Sequence, residues 1–354
     1  MQISKLLLEK IDALDLGEVN LMEVCGTHTM SIAKAGIKKM LPSNIHLLSG
    51  PGCPVCVTPS AVMDEILRLS ERPDVLIATY GDMLRVPGST RGDNLAKRKA
   101  LGAKVEIVFS AMDAVELAEK KPELQVVFLG VGFETTAPGT AACIGEAAAR
   151  KLKNFTVLPM LKTVAPALRA LIADPEFNVQ GFLCPGHVGT IIGSDGFEFL
   201  ARDYHIPGVI SGFEPEDILL SVYMLLKQIS EGRAEIENEY RRAVAREGNP
   251  AAKAIIDKYL VLSDGLWRGL GKIEKGDLAV RPEYADMDAS RRFSLDYSED
   301  KQLPGCRCGD VICGKLSPQH CPLFGTVCLP EDPVGPCMVS SEGACSAAYK
   351  YQDF

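Results

Sequence analysis

Short apolar segments alternate with segments of helical periodicity along most of this 354-residue chain, and this alternation limits the folds open to it. In residues 1–122, four predicted strands are each followed by a predicted helix. Strands that alternate with helices pair in parallel and bury the helices against both faces of a sheet. A second series of the same kind begins at the boundary 121–123. The sequence therefore predicts an α/β protein with two similar parallel-sheet, Rossmann-like domains, 1–122 and 123–262.

The predicted strands of each domain are expected to form one sheet. Those of the first domain lie at 20–24, 45–48, 75–79 and 104–110. Those of the second domain lie at 126–131, 156–159, 181–183 and 208–210. Helical periodicity then predicts two or three helices, at 215–230, 234–246 and 250–259. After Trp267 and Arg268 the periodicity ends, and residues 263–354 are predicted to form a third, cysteine-rich domain.

Two thiols follow the second predicted strand in the turn 49–56, where Cys53 and Cys56 form a C-x₂-C motif. Gly50 and Gly52 permit positive φ and close backbone approach, while two prolines restrict the turn. A thiol pair held close in a chain that is not secreted is typical of a reversible disulfide or a metal site. The alternative is that both cysteines are small buried side chains of a turn, as free cysteines often are.

Cys25 lies where the first predicted strand gives way to a predicted helix at 30–40. Backbone N–H groups at the start of a helix favour an anion, so we expect a Cys25 thiolate with a lowered pKa. His28 follows three residues later and is expected to share a helical face with the sulfur, as its proton acceptor or supporting partner. The alternative is a capping segment in which Thr27 or Thr29 caps the helix and His28 faces solvent.

Polar side chains also follow three other predicted strands, at the carboxyl ends where open α/β sheets bind ligands. They are Asp82 and Arg85 after the strand at 75–79, Glu134, Thr135 and Thr136 after the strand at 126–131, and His187 after the strand at 181–183. Thr135 or Thr136 is expected to cap a helix, so that the turn at 130–138 can hold an oxyanion. We expect these motifs to meet in a cleft between the two domains. For Asp82 and Arg85 the alternative is an ion pair in a solvated loop.

Charge and hydropathy exclude two classes of partner. The net charge of −8 and the absence of a basic run argue against a nucleic-acid-binding surface. No apolar run approaches the ~18 residues that a membrane-spanning helix needs, so no membrane partner is expected. Residues 1–16 mix apolar and charged side chains at helical spacing, which predicts a surface helix and not a signal peptide with its apolar centre. We therefore expect a soluble cytoplasmic protein.

Cysteine is unusually frequent, with 12 in the chain and seven in the last 49 residues. In a cytoplasmic chain this favours a metal or cluster site over a disulfide framework. The tail lacks the paired C-x₂-C knuckles of zinc ribbons and the four-cysteine run of bacterial ferredoxins. Thiolate ligation at irregular spacing favours an iron–sulfur cluster, and a zinc-stabilised binding module is the alternative.

Six motifs together resemble the HypD family of [NiFe]-hydrogenase maturation proteins over essentially the whole chain. They are Cys25-Gly-Thr-His28, Gly50-Pro-Gly-Cys-Pro-Val-Cys56, Gly81-Asp-Met-Leu-Arg-Val-Pro-Gly88, Gly132-Phe-Glu-Thr-Thr-Ala-Pro138, Pro185-Gly-His-Val188 and Met338-Val-Ser-Ser-Glu-Gly-Ala-Cys345. The resemblance implies two α/β domains of related topology and a third domain that carries a [4Fe-4S] cluster. It also implies a scaffold on which Fe(CN)₂CO is assembled with a small HypC-type partner, with cyanide accepted from a HypE-type partner.

The same resemblance gives roles to the cysteines. It makes Cys25 the thiolate that holds iron(II) jointly with a cysteine of the HypC-type partner, and Cys53 and Cys56 the redox pair nearby. In the tail it implies four cluster ligands, Cys306, Cys321, Cys328 and Cys345. Cys308 and Cys337 then become a second dithiol beside the cluster, and Cys313 is left over.

The implied chemistry is a route for electrons from the cluster, through a dithiol and the Cys53/Cys56 pair, to the iron at Cys25. Such a protein is a redox-active scaffold rather than an enzyme that turns over a free substrate. The alternative is a self-contained oxidoreductase that passes electrons to a small substrate in the cleft, with His28 or His187 as proton donor. That alternative requires no partner protein.

Overall fold

A computed structural model describes residues 2–297, 300 and 303–351 of the chain. Met1, at the start of the predicted first helix, and residues 298–299, 301–302 and 352–354 of the predicted third domain lie outside the described residues. Within these described ranges, no helix combines the length and the apolar character that crossing a membrane requires.

Helices and strands alternate through most of the described chain, as the sequence predicts. The strands are β1 Val19–Glu23, β2 Ile45–Ser49, β3 Val75–Thr79, β4 Val105–Ile107, β5 Gln125–Gly132, β6 Phe155–Lys162, β7 Gly181–Pro185, β8 Gly208–Ser211, β9 Ile236–Asn238, β10 Leu260–Trp267 and β11 Gly271–Val280. The helices are α1 Gln2–Asp12, α2 Gly26–Ala35, α3 Ile37–Met40, α4 Ser60–Ser70, α5 Leu95–Ala100, α6 Ala111–Lys120, α7 Ala137–Ala149, α8 Val164–Ile172, α9 Gly186–Ile192, α10 Glu198–Tyr204, α11 Pro215–Ser230, α12 Pro250–Tyr259, α13 Ala289–Arg292, α14 Cys308–Ile312 and α15 Ala344–Tyr351.

The first sheet has the strand order β2-β1-β7-β8-β9, and each neighbouring pair in it is parallel. Its central strands are apolar and buried, with Leu21 of β1 and Leu183 of β7 in the same cluster as Ile218 and Leu225 of α11. Helix α11 therefore covers one face of this sheet, which is the arrangement expected for parallel strands.

The second sheet has the strand order β10-β11-β6-β5-β3-β4. Strands β6, β5, β3 and β4 are parallel, as predicted for an α/β protein. Strands β10 and β11 form an antiparallel hairpin, which joins the sheet where β11 pairs with β6. Gly269 in the turn of this hairpin and Gly271 at the start of β11 both have positive φ, which glycine adopts without steric cost.

The prediction that each domain's strands form their own sheet is wrong. Strands β3 and β4 pair with β5 and β6, whereas β1 and β2 share a sheet with β7. The chain thus changes sheets after β2, after β6 and again after β9. Strand propensity locates a strand, but it does not specify which crossover carries that strand to which sheet. Two parallel-dominated sheets are present, and the domain division at 122/123 and 262/263 stays a prediction.

The predicted helix at 234–246 is also wrong. This segment forms strand β9 and then turns, because residues 236–238 supply the edge strand that pairs with β8. Main-chain pairing here overrides the helix propensity of its glutamates and arginines. The predicted helices at 215–230 and 250–259 are confirmed as α11 and α12.

One apolar cluster joins both sheets to the cysteine-rich tail. It contains Met22 of β1, Leu129 of β5 and Trp267 at the end of β10, together with Cys56 and Cys337. The C-x₂-C turn and the tail are therefore parts of one continuous core. Their positions relative to the sheets are fixed by packing rather than by a flexible linker.

Candidate functional site

The carboxyl ends of four central strands face one cleft. In the first sheet, β1 connects to β2 on one side while β7 connects to β8 on the other. In the second sheet, β3 connects to β4 on one side while β5 connects to β6 on the other. Open α/β sheets bind ligands at such points, where the connections of adjacent strands diverge. Residues that follow all four strands line the cleft, so both sheets contribute such a point to it.

The cleft has a volume of about 260 Å³. Five of the candidate site residues predicted from the sequence lie in its wall: Cys25, Asp82, Thr135, Thr136 and His187. The tail adds two residues that the sequence did not indicate, Ser340 and Glu342. The strand-end motifs and the C-terminal tail thus meet at a single place.

Cys25 immediately precedes α2, and its sulfur accepts hydrogen bonds from the backbone N–H groups of Thr27 and His28. This is the helix start that the sequence predicts, although it lies earlier than expected. The side chain is only 8% exposed, and burial raises the pKa of Cys25 to about 12, with a smaller contribution from the charge of Glu342. The predicted lowering of this pKa is wrong, because lost hydration outweighs the N–H groups.

The C-x₂-C turn is hydrogen-bonded to the Cys25 turn. Gly26 donates its N–H to Gly52 O at 3.1 Å, and Gly50 donates to Glu23 O at 2.8 Å. A Cβ atom at Gly52 would lie 2.2 Å from the Cys25 nitrogen, so glycine alone permits this approach. Neither Gly50 nor Gly52 has positive φ. Close approach, rather than the left-handed conformation also predicted, therefore accounts for these glycines.

Cys53 and Cys56 lie within disulfide-bonding distance, with their Cα atoms 5.2 Å apart. Both side chains are buried, and the Cys56 N–H donates to Cys53 Sγ at 3.2 Å. Their neighbours Gly52, Pro54 and Val55 line the cleft. The pair therefore lies directly behind the cleft wall, next to the Cys25 turn, and its redox activity stays a prediction.

His28 is fully buried, and its ring packs against Phe213 with 4.7 Å between ring centroids. Its Nε2 donates a hydrogen bond to Gly212 O at 2.9 Å, and burial lowers the pKa of His28 to about 4. Among the described residues its Nδ1 has no hydrogen-bond partner. The solvated His28 of the capping alternative is therefore wrong, as are Thr27 and Thr29 as caps, since Cys25 occupies that position.

His187 lies in the cleft wall and also stacks on Phe213, with 3.9 Å between ring centroids. Partial burial lowers the pKa of His187. Phe213 follows β8, so this one ring connects the helix starts after β1 and β7. Both imidazoles are thus held in a neutral, aromatic environment.

Asp82 and Arg85, both predicted as candidates for a polar contact with a ligand, have different surroundings. Asp82 lies in the cleft wall and accepts a hydrogen bond of 3.4 Å from Ser340 Oγ. Arg85 donates instead to Pro330 O at 2.9 Å, and so fastens the 3₁₀ turn Gly81–Arg85 to the tail. Of the two, the structure brings only Asp82 to the cleft.

Glu134 and Thr136 both lie at the starts of helices. Thr136 occupies the N-cap position of α7, as predicted, but its side chain accepts no hydrogen bond from the helix, and its hydroxyl donates to Phe133 O at 3.2 Å instead. Glu134 is buried behind the wall, where its Oε1 accepts the Val164 N–H at the start of α8 at 2.8 Å. Burial raises the pKa of Glu134 to about 7. Glu134 is therefore a buried capping residue of α8 and not part of the cleft surface.

Glu342 brings a carboxyl group from the tail to the Cys25 turn. Thr27 Oγ1 donates to it at 2.8 Å, and burial raises the pKa of Glu342. A Cβ atom at Gly26 would lie 2.4 Å from Glu342 Cβ, so the glycine after Cys25 makes room for the tail. The signal available in the sequence was the tail motif 338–345, whose contact with residues 26–27 no local pattern reveals.

Six of the seven tail cysteines surround one small, apolar cavity: Cys306, Cys308, Cys321, Cys328, Cys337 and Cys345. Cys313 is not among them, since it lines a different cavity and its Sγ lies 3.6 Å from Gly269 O. Cys313, which the sequence left without a role, is thus also separated in space from the other tail cysteines. The candidate ligands of a tail cluster are therefore six cysteines and not seven.

The donor set around the tail cavity suits a thiolate-bound cluster. Val334 donates its N–H to Cys328 Sγ at 3.3 Å, and backbone N–H groups of this kind tune the sulfur ligands of iron–sulfur clusters. A Cβ atom at Gly335 would lie 2.7 Å from Cys306 Sγ, so glycine leaves space for that sulfur. Hydrogen bonds from Cys306 and Cys337 lower the pKa of Cys308. In the described ranges, no three His, Cys, Asp or Glu side chains are already spaced around a single metal ion.

A family model, HypD, described as "Hydrogenase formation hypA family", matches residues 2–352. The chain belongs to the HypD family of hydrogenase maturation factors. The match includes every cleft residue and all seven tail cysteines, so the resemblance carried by the six sequence motifs is confirmed.

Several curated relatives are named hydrogenase maturation factor HypD. The protein from Rhodobacter capsulatus is 45% identical over 350 residues, which cover 98% of this chain and 92% of the relative. The Escherichia coli K12 protein is 44% identical over 335 residues, covering 94% of this chain and 89% of the relative. The Cupriavidus necator H16 protein is 44% identical over 342 residues, covering 95% and 90%. The chain therefore aligns with HypD proteins along nearly their whole length.

Proposed function

We propose that the protein is a redox-active scaffold on which Fe(CN)₂CO is assembled for a [NiFe]-hydrogenase, together with a HypC-type partner. A HypE-type partner supplies cyanide. The observation that carries this proposal is the position of Cys25. This residue lines a cleft formed by both sheets, and its turn is hydrogen-bonded to the Cys53/Cys56 turn. The chain's membership of a family of hydrogenase maturation factors supports this role for the cleft.

The cargo is iron(II) with cyanide and carbon monoxide, a soft centre that thiolate ligands suit. Burial keeps Cys25 a neutral thiol before loading. Metal ligation then releases its proton, since the metal binds the thiolate. The Glu342 carboxylate, in the same wall, can accept that proton. Cys25 thus becomes anionic only when the iron arrives, which keeps an empty site unreactive.

The HypC-type partner is proposed because one thiolate does not complete the coordination of an iron that must later be released. Cys25 is the one cysteine that lines the cleft, among the residues described. A second cysteine ligand must therefore come from another chain. Shared ligation also gives a direct way to hand over the product, because the partner leaves with its own ligand in place.

Cys53 and Cys56 are proposed as the electron store beside the cargo. Opening their disulfide takes up two electrons and two protons and yields two thiols. Because both cysteines belong to one short turn, the change requires little rearrangement of the chain. Both sulfurs lie behind the cleft wall and not in the cleft. They therefore supply electrons to the site and are not ligands of the iron.

In the tail, we propose that Cys306, Cys321, Cys328 and Cys345 hold a [4Fe-4S] cluster. Cys308 and Cys337, in the same cavity, are the dithiol beside it. The cluster, when bound, supplies one-electron chemistry. The protein's own contribution is the apolar lining of Leu323, Phe324 and Met338, which excludes water from the sulfur atoms, and the N–H donors to those sulfurs.

The self-contained oxidoreductase is less well supported. It requires His28 or His187 to donate a proton to a substrate in the cleft. The pKa values of both imidazoles are lowered by burial, so both are neutral near pH 7. His28 also does not line the cleft. Neither ring therefore has the properties of a general acid at that pH.

Infrared spectroscopy of the protein purified anaerobically with its small partner tests the scaffold. Cyanide and carbonyl stretches fall in an otherwise empty window, and we expect both in the wild-type complex. Cys25→Ala removes a ligand of the iron and should abolish the bands while the tail chromophore remains. Cys143→Ala is the matched control, because Cys143 is a buried thiol within α7. Full bands in Cys25→Ala would eliminate Cys25 as the iron ligand.

A further inference from the structure

Arg268 is a buried cation between the two cysteine sites. It directly follows β10 and is only 3% exposed. Arginine stays charged even when buried, and a buried charge is expensive unless it is paired. In the part of the chain that the structure describes, no carboxylate forms an ion pair with Arg268, unlike Lys162, the buried cation paired with Asp277. Its partners must therefore be sought among other groups.

One side of Arg268 holds the C-x₂-C turn. Its backbone N–H donates to Val57 O at 2.9 Å, and its Nε donates to Thr58 O at 3.0 Å. Val57 and Thr58 are the two residues that follow Cys56. The guanidinium therefore fixes the exit of the redox turn, where the chain leaves it for α4.

The other side of Arg268 faces the tail. Its side chain donates to the sulfur of Cys308, and its charge also acts on Cys306. The next residue, Gly269, lies so close that a Cβ there would be 2.8 Å from Gly309 Cα. The planar fork of arginine can hold two acceptors at once, which a lysine cannot do in the same geometry.

We propose that Arg268 is a positioning residue that joins the Cys53/Cys56 turn to the tail cysteines, and that its buried charge favours the reduced, more negative state of the tail sulfur site. Among the residues that the structure describes, sulfur is the one partner of Arg268 that can become an anion, so negative charge on the tail compensates the cation. Adding electrons there increases that negative charge, and a cation in low-dielectric surroundings stabilises the result. The proposal rests on the proposed tail cluster and dithiol, whose presence is measured separately below.

The test compares neutral and charged replacements in the full-length protein. Arg268→Met and Arg268→Gln remove the charge, and Gln retains polar hydrogen-bonding groups should Met impair folding. Arg268→Lys retains the charge but loses the planar guanidinium that can donate to two acceptors at once. Arg91→Met is the matched control, since Arg91 also bonds to the tail, at Val327 O and Asp332, but lies exposed to solvent.

The readouts are the melting temperature and the reduction potential of the tail chromophore, followed by its visible absorbance in a redox titration. All three Arg268 variants should melt at lower temperature, because each weakens the contacts to Thr58 and the tail. Only Arg268→Met and Arg268→Gln should shift the reduction potential of the tail chromophore to more negative values. Arg268→Lys and the Arg91→Met control should keep a potential near that of the wild type.

An unchanged reduction potential in Arg268→Met and Arg268→Gln overturns the proposal. An equal shift in Arg268→Lys also overturns it, because either result means that Arg268 contributes packing and not charge. Absence of the chromophore from the wild type contradicts the proposed cluster instead. In that case the same variants are compared by the midpoint for reduction of the Cys308–Cys337 pair in dithiothreitol buffers, read by alkylation and mass spectrometry. Reduction of this pair takes up two electrons and one proton and gives a Cys337 thiol and a Cys308 thiolate, which accepts the hydrogen bond from Arg268. The guanidinium favours that added negative charge, so the same negative shift is expected and its absence again overturns the proposal.

Discussion

Thr27 Oγ1 donates a 2.8 Å hydrogen bond to Glu342, which lies 315 residues further along the chain. This hydrogen bond holds the tail in the cleft beside Cys25. Gly26 makes the contact possible, because it has no Cβ atom that would collide with Glu342. It also puts a carboxyl group close to the thiol that we propose as the iron ligand. The C-terminal segment is therefore part of the cleft wall as well as the carrier of the tail cysteines.

The first prediction concerns Glu342→Gln. Burial is the main cause of the raised pKa of Cys25, and the Glu342 charge adds to it. The glutamine keeps an acceptor for Thr27 but removes the charge, so the pKa of Cys25 should fall. Below that pKa, a greater thiolate fraction should speed alkylation of Cys25 by roughly three- to tenfold at pH 8. Mass spectrometry of timed alkylation measures the rate.

Glu331→Gln is the control for this change, because Glu331 is an exposed carboxyl group of the tail. It should leave the alkylation rate of Cys25 unaltered. A rate in Glu342→Gln equal to or below that of the wild type would contradict the electrostatic role of Glu342.

The second prediction separates cluster ligands from the leftover cysteine. Cys321→Ala and Cys328→Ala each remove a sulfur from the tail cavity, and loss of one of four thiolates should abolish the brown chromophore and the bound iron. Cys313→Ala should keep both, because Cys313 lies in a separate cavity. Visible spectra with iron and sulfide analysis check this. Retained iron in Cys328→Ala would mean that a different set of four cysteines binds the cluster.

The third prediction concerns the C-x₂-C turn. Cys53→Ser and Cys56→Ser should fold, keep the tail chromophore and bind the HypC-type partner, yet fail to mature hydrogenase, because the electron store is lost. In the wild type, alkylation should find the pair oxidised in air and reduced by a mild thiol. Cys143→Ser, at a buried thiol of α7, should still support maturation. A double Ser variant that matures hydrogenase would reduce the turn to a structural element.

The positions of the strands could be predicted from the sequence, but not their grouping into sheets. The apolar runs and the turns between them predict the positions of β1, β3, β5 and β7 closely. A strand buried on both faces is an apolar run, and this pattern can be recognised in the sequence. The pairing of β1 with β7 leaves no such pattern, because it depends on the crossovers. The hairpin of β10 and β11 was missed because its strands are partly exposed and charged.

The candidate site was predictable where it is local. Cys25 at a helix start and the close approach of Gly52 both follow from short motifs. The sign of the pKa shift at Cys25 did not follow, because it depends on how much protein covers the thiol. Glu342 and Arg268 were not recognised as parts of the site for a related reason, since each acts on a cysteine far away in sequence.

The last prediction uses Glu134, whose Oε2 has no hydrogen-bond partner among the described residues. Burial raises its pKa from 4.5 to about 7, so the folded protein holds this proton more tightly than the unfolded chain does. The stabilisation from that proton is complete below pH 4.5 and is lost as the pH rises to about 7. Glu134→Gln stays neutral throughout and should therefore gain stability relative to the wild type between pH 5 and pH 8.

The expected gain is up to about 3 kcal/mol in the free energy of unfolding, measured by urea denaturation at both pH values. The buried His28 has the opposite pH dependence, because its pKa is lowered to about 4, so the wild-type curve alone mixes the two groups. His28 is present in both proteins, so its contribution cancels when the free energy of unfolding of the wild type is subtracted from that of the variant. A cost of the glutamine amide that does not depend on pH cancels when this difference is compared between pH 5 and pH 8. A difference that is the same at pH 5 and pH 8 would show that Glu134 is already ionised in the folded protein at pH 5.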